Sequence, residues 1–425
     1  MDTIFAHSSG LPPAGIAVIR ISGPDAHRAG EVLAGSLPAA RQTALRRLRD
    51  GGGEVLDDAL VLRFDAPASA TGEDVVELHC HGSRAVVRAV LRSLSELSYL
   101  REAAPGEFTR RAFEHGRIDL TEAEGLADLL EAETESQRRA ALAMAEGSLR
   151  SQVEKWRQRL IMLSAQAEAA IDYVGDADET AADVDELTSA AASLREELSE
   201  WLARPRAERL KTGIKVVIAG PPNSGKSSLL NALSEEDRAI MTDVAGTTRD
   251  VIEVPVSWHG VPLVLIDTAG LRASDDTVER IGVERTEQQL QSADILLWTG
   301  LESERPAHLN ALQLFTKADL SAGSSEQLGG LKVSSVTKEG LDALRGWLLS
   351  AARSLLPADR SIAINERQAR AIHECAEALA DVRGADLVLI AEALRAARVG
   401  LDRVTGATGI EEVLDALFGR FCLGK

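Results

Sequence analysis

The octapeptide Gly220-Pro221-Pro222-Asn223-Ser224-Gly225-Lys226-Ser227 carries the spacing G-x-x-x-x-G-K-S/T, and no other stretch restricts the fold so tightly. Such a loop works where a buried strand runs into it and a helix starts from it, because its backbone N–H groups converge on an anion at the helix N-terminus. Both neighbours are legible. Val216-Val217-Ile218-Ala219 reads as the strand and Ser228-Leu229-Leu230-Asn231-Ala232-Leu233 as the helix. A Gly-rich turn matching by accident would not carry that context. Asn223, Ser224, Gly225, Lys226, Ser227 and Ser228 are therefore the candidate phosphate contacts. Among them Lys226 is expected to reach the β- and γ-phosphates as the catalytic cation, and the Ser227 hydroxyl to hold Mg2+.

The chain changes texture around this loop. Residues 1 to about 117 mix β-like runs and turns with one helix. The strands are Gly15 to Ser22, Asp58 to Phe64 and Val75 to His81, and an amphipathic helix follows from Ala85 to Leu97; this reads as an α+β domain. From Leu120 to about Leu210 the pattern is helical, with Leu126, Leu129, Leu130 and then Leu160, Ile161, Leu163, Ala167 at helical spacing. The acidic excess there reads as a solvated helix face. Residues 211 to about 357 alternate strands and helices, and helical texture returns after Pro357. The expected chain is multidomain, α+β and α/β. An α+β domain spans 1–117, a discontinuous helical domain spans 118–210 and 358–425, and a P-loop α/β domain is inserted at 211–357.

Further nucleotide-binding elements follow in order. Gly246-Thr247-Thr248-Arg249-Asp250 lies where a switch loop would offer a Thr to Mg2+ and the γ-phosphate. A hairpin from Val251 to Ile266, turning near His259-Gly260, ends in Asp267-Thr268-Ala269-Gly270. Asp267 suits an indirect Mg2+ role, and the Gly270 N–H can meet the γ-phosphate. In Thr316-Lys317-Ala318-Asp319 the carboxylate can accept N1–H and N2–H of guanine, a pattern adenine cannot supply. Asn is usual where Thr316 stands, Lys317 can lie along the base, and Ser334-Ser335 is the expected last base loop. GTP is the expected ligand.

The hydrolytic parts are less conventional. Many GTPases place a water-orienting Gln directly after the Asp-x-x-Gly element; here Leu271 stands there. Asp275, Asp276 and Glu279 are the nearby carboxylates. No internal arginine finger is evident, and a cation between the phosphates could do similar work. Asn223 reads either as an ordinary turn residue or as an oxygen ligand for a monovalent ion.

Bulk properties narrow the partners. At 425 residues and 45% apolar content the chain is globular and multidomain. It shows neither a bilayer-length apolar run nor a secretory leader at Met1 to Gly10. Cys80, Cys375 and Cys422 are few and scattered, which suggests a reducing cytoplasm. A net charge of −19 on average repels polyanions. An RNA partner would therefore need a local basic patch or a second, more basic protein.

Taken with the chain ends, these residues resemble the MnmE/TrmE family of tRNA-modification GTPases over nearly the whole length. The matching stretches are Asp2-Thr3-Ile4, Ile16 to Pro24, Glu77 to Gly82, Ala104 to Phe113, Asp267 to Arg272 and the tail Phe421-Cys422-Leu423-Gly424-Lys425. The resemblance implies an N-terminal domain that dimerises and binds a reduced folate of the 5,10-methylene- or 5-formyl-tetrahydrofolate type. It also implies a helical domain with an inserted GTPase whose copies meet across a homodimer when K+ and GTP are bound. An FAD-containing MnmG-type partner, in a heterotetramer or larger assembly, would complete modification of the wobble uridine of tRNA at carbon 5 in the cytoplasm. Asn223, Thr242, Val244 and Thr247 would surround K+; Ser227 and Thr248 would hold Mg2+; Glu279 would orient water. Arg20, Glu77, Arg117 and Lys425 match the folate positions. Read alone, Arg20 and Arg117 are ordinary surface ion-pair residues, Lys425 a frayed end and Cys422 a small buried side chain. The opening Ser9 to Ala14 and Thr316 depart from the family pattern, and Thr299 to Leu314 is short. The competing readings are a ribosome-assembly GTPase with similar phosphate loops and a purely structural N-terminal platform.

Overall fold

The computed structural model describes residues 2–172, 177–235, 252–268, 289–320, 330–357, 362–382, 386–408, 411–419, 421 and 424, with side chains at 172, 177–183, 252 and 411–412 excepted. It divides into two compact units. One comprises Met1–Ala127, Ala145–Arg157 and Leu401–Lys425, the other Asp128–Met144 and Gln158–Gly400.

The first unit is built on a six-stranded sheet of β1 (Thr3–His7), β2 (Ile16–Ser22), β3 (Thr43–Arg49), β4 (Val55–Phe64), β5 (Val75–His81) and β6 (Leu100–Glu102), ordered β3-β4-β5-β2-β1-β6. All neighbours are antiparallel except β1 and β6. Side chains alternate across a strand. Phe5, Ile19, Ile21, Val76, Leu78 and Val61 thus face one way and form the core with Leu33 and Leu94 of the helices Ala26–Ala34 and Arg84–Ser95. Ile4 and Ala6 face the other way, with Arg20 and Glu77 in register beside them. They pack on Ala103 and on Phe108 of the helix Glu107–Glu114.

The expectation of one helix in this region is corrected to three. The helix Ala26–Ala34 buries mostly small residues, Ala26, Ala29, Gly30 and Ala34 with Leu33, so its apolar face is faint in sequence. In Glu107–Glu114 the buried Arg111 sits in the apolar stripe and disguises it. Arg111 is 4% exposed and bonded to Asp2 at 2.9 Å and to Glu73 and Glu107 at 3.0 Å, so its charge is fully paired. Helix Glu411–Phe418 is tied to the same helix by Arg110–Asp415 at 2.9 Å and by the Phe113–Phe418 rings 6.4 Å apart.

The second unit carries β7 (Ile214–Ala219), β8 (Ile252–Trp258), β9 (Val261–Asp267), β10 (Ile295–Trp298), β11 (Ala311–Phe315) and β12 (Leu331–Lys332) in the order β12-β11-β10-β7-β9-β8. Only the β8–β9 hairpin, turning at His259-Gly260, is antiparallel. Helices cover both faces of a parallel sheet, so its central strand is apolar but for the partly buried Lys215. Ile214, Val216 and Ile218 enter one core, Val217 and Ala219 the other. On either side of this α/β segment the helices Ala177–Leu202 and Glu366–Ala380 pack on one another. The chain crosses between them at adjoining points: Ala207 N–H donates to Ile364 O at 3.1 Å, and Glu366 N–H to Glu208 Oε1 at 2.6 Å.

Candidate functional site

In this sheet the loops after β7 and β10 lie side by side and lead to elements on opposite sides, which opens a crevice at the strands' C-terminal ends. Gly220 to Ser227 fills it. Gly220 adopts φ 145°, and a Cβ there would overlap Thr299 Oγ1, so only glycine fits. Lys226, 5% exposed, opens the helix Lys226–Ser234 and donates from Nζ to Gly220 O at 3.0 Å and Pro221 O at 2.8 Å. These two carbonyls at the loop mouth are weaker acceptors for its ammonium than the phosphate oxygens that would take their place. Ser227 donates its hydroxyl hydrogen to Asp267 Oδ2. A hydroxyl beside a carboxylate is an all-oxygen set that fits Mg2+. Asn223 is exposed in a left-handed conformation with φ 59°, as an Asn in a turn adopts readily. Ser228 is exposed on the first turn.

The base-side residues meet this loop. Thr316 donates its hydroxyl hydrogen to Ser224 O, and Lys317 Nζ donates to Asn223 O at 2.8 Å. Thr316 thereby ties the phosphate loop to the loop after β11. Asp319 Oδ1 accepts from Ser334 Oγ at 2.6 Å, and Ser334 Oγ accepts from Val336 N–H and Thr337 N–H at 3.2 and 3.1 Å. Ser334 is fully buried, so it aims the Asp319 carboxylate.

Thr299 and Gly300 are the residues that sequence reasoning missed. Thr299 Oγ1 is 2.6 Å from Ser224 Oγ and 3.1 Å from Ala219 O. Gly300 lies against Trp298 and Pro221, and its carbonyl accepts from Gln313 Nε2 at 2.7 Å. The available signal was position: the first residues after a strand that pairs with β7 must border the loop.

In the first unit Arg20 and Glu77 are paired, Nε–Oε1 2.9 Å and Nη2–Oε1 2.8 Å. His79 Nε2 lies 3.1 Å from Glu77 Oε2, and the Arg20 guanidinium is 5.6 Å from the Phe108 ring centre. Burial pushes the Glu77 carboxyl up, but Arg20 and His79 prevail and hold it below its ordinary value. This half-buried set offers both signs of charge beside an aromatic face, which fits a polar heteroaromatic ligand such as a folate head. Arg117 is exposed and lies over Gly72. Gly424 packs so closely on His7 and Ser8 that a Cβ would overlap His7 O, which brings the chain's end to the strand pair carrying Arg20. Thr242, Val244, Thr247, Thr248, Gly270, Leu271, Glu279, Cys422 and Lys425 lie outside the described residues. Cys80 and Cys375 are buried and their thiols are pushed up to about 12, too high for a reactive thiolate.

A mostly parallel sheet with a Gly-Lys-Ser loop after its central strand, Asp267 ending the adjacent strand and an aimed Asp319 defines a P-loop GTPase domain. The family model described as GTP-binding protein TrmE N-terminus matches residues 3–117, and the MnmE helical domain matches 120–422. The tRNA modification GTPase MnmE of Erythrobacter litoralis is 54% identical over 431 residues, covering 100% of both chains. That of Novosphingobium aromaticivorans is 50% identical over 435 residues, again covering 100% of both. Among solved structures, the G domain of T. maritima FeoB aligns with 33% of this chain and 98% of its own at 24% identity, with a TM-score of 0.25. The chain belongs to the MnmE family of tRNA modification GTPases. Among the described residues no helix is long and apolar enough to cross a membrane.

Proposed function

We propose that this chain is the GTP-hydrolysing component of a complex that modifies the wobble uridine of tRNA at carbon 5, acting with a reduced folate and a flavoprotein partner as a homodimer in the cytoplasm. The full-length match to MnmE relatives carries the reading, and the site supports it. Lys226 and Ser227 stand ready for the phosphates and Mg2+, and Asp319 for guanine. Bound Mg2+ would supply neutralisation of phosphate charge. The protein's own contribution is to hold Ser227 and Asp267 together and keep Lys226 at the loop mouth.

Potassium would stand in for the arginine finger, with Asn223 as one oxygen ligand and Thr242, Val244 and Thr247 completing the set. Thr248 would reach Mg2+ and the γ-phosphate, the Gly270 N–H would meet the γ-phosphate, and Glu279 would orient the water. Arg20, Glu77, Arg117 and Lys425 would hold the folate. The flavoprotein would carry most of the RNA surface, in keeping with a net charge of −19 on this chain. The deciding experiment compares GTP turnover in K+ and Na+, with and without the flavoprotein. Faster turnover in K+ is expected, and equal rates in both salts would remove the cation mechanism.

A further inference from the structure

The helix Arg84–Ser95 holds an arrangement that neither the GTPase site nor the folate positions use. Its sequence RAVVRAVLRSLS contains no acidic residue. Val87, Val90 and Leu94 are buried, while Arg84, Arg88 and Arg92 are all exposed. Residues four apart are neighbours on a helix surface, about 6 Å along the axis. The three arginine positions thus lie in one row along the helix, at a spacing on the scale at which phosphates succeed each other along a nucleic-acid strand.

Like charges four apart repel. Arg84 stands in the first turn, where the helix dipole disfavours a cation, although Arg92 in the last turn is favoured by it. Several other arginines of this unit have carboxylate partners, Arg47 with Asp58 at 2.9 Å, Arg63 with Asp65 at 2.7 Å, Arg101 with Asp2 at 2.5 Å and Arg110 with Asp415 at 2.9 Å, while Arg41, Arg46 and Arg49 bond to backbone carbonyls. Among the described residues no carboxylate pairs with Arg84, Arg88 or Arg92, although the chain has 66 acidic residues against 47 basic ones. The Arg84 guanidinium makes one long bond, Nε to Pro12 O at 3.4 Å.

We propose that Arg84, Arg88 and Arg92 form a docking row for successive phosphates of the tRNA backbone, a local basic patch on an otherwise acidic chain. Charge complementarity selects this occupant, and a planar guanidinium suits bidentate contact with phosphate oxygens. The row positions RNA without reading its sequence. This inference rests on tRNA being the substrate, as proposed above.

The test uses the full-length chain with the triple change Arg84→Gln, Arg88→Gln and Arg92→Gln, each at an exposed helix position. Binding of an unmodified tRNA transcript is followed by fluorescence anisotropy across a salt series, alongside RNA-free GTP turnover and tRNA modification with the flavoprotein. Three lost phosphate contacts should flatten the plot of log affinity against log salt by about 2 to 3, and weaken binding on the order of 100-fold near ~0.1 M salt. GTP turnover should not change, and the triple Arg→Lys variant should keep most of the affinity. An unchanged slope, or no tRNA binding by the wild-type chain, overturns the row. Loss of flavoprotein association with tRNA binding intact also overturns it, since the row would then face an acidic protein. A wild-type chain that binds tRNA but supports no modification defeats the functional reading alone.

Discussion

Thr299 Oγ1 lies 2.6 Å from Ser224 Oγ and 3.1 Å from Ala219 O, so one hydroxyl at the end of β10 spans the mouth of the phosphate loop. The Ser224 hydroxyl donates to Thr299 when Thr299 donates to Ala219 O, and residues on both sides of the mouth are held together. Thr299→Val keeps the shape and deletes the bridge. The net loss of a hydrogen bond is about 1 kcal/mol, or roughly 5-fold in affinity. Titration with a fluorescent GTP analogue should show that weakening with kcat nearly unchanged; unaltered affinity would make the bridge incidental.

Ser334 is expected to matter through Asp319. Removing its hydroxyl by Ser334→Ala frees the carboxylate that would read guanine and takes away a charge-assisted bond worth about 1.5–3 kcal/mol. Affinity for GTP should fall by roughly 10-fold or more, and the preference for GTP over ATP should shrink in a competition assay. A fall in GTP affinity with the preference intact would place Ser334 outside base recognition.

Glu77 links the Arg20 cluster to pH. Its carboxyl is held below its ordinary value in the folded chain, so its contribution to stability is full above the unfolded value and is lost as pH falls through the lowered one. Arg20→Gln removes the main opposing charge and leaves the burial that raises the carboxyl. The acid limb of the stability profile should then move to higher pH. Denaturant midpoints from about pH 3 to 7 would show this, and coincident limbs for the two proteins would count against the pair.

Glu279→Ala should leave GTP binding intact and slow hydrolysis by about 100-fold, the lower range for a positioned acid–base group. Leu271 offers no substitute. Single-turnover rates in K+ decide it, and full activity would show that another group orients the water.

The α/β half was the more legible. The strand read at Val216 to Ala219 is Ile214–Ala219, and the helix read at Ser228 to Leu233 is Lys226–Ser234. The polar Lys226 and Ser227 of its first turn had hidden its start. Val75 to His81 matches β5 without shift because, from Val76 on, buried apolar residues alternate with more accessible polar ones. β3 was not seen, since TALRRLR fully buries only Leu48. β6, with three residues, is too short to carry a period. Within the site, motif residues were visible because their spacing is chemical, whereas Thr299 is one hydroxyl after an apolar strand. Its importance comes from strand order, and order is not written in any local pattern.

The bond from Ala207 to Ile364, with Glu366 anchored on Glu208, has a thermodynamic consequence. To the helices that flank it, the GTPase segment is a loop whose ends already touch. Closing such a loop costs an entropy that grows only logarithmically, about 0.6 kcal/mol for each doubling of its length. Lengthening or trimming connections within the segment should therefore hardly disturb the helical scaffold. A break at that doorway would let the two flanks lose each other.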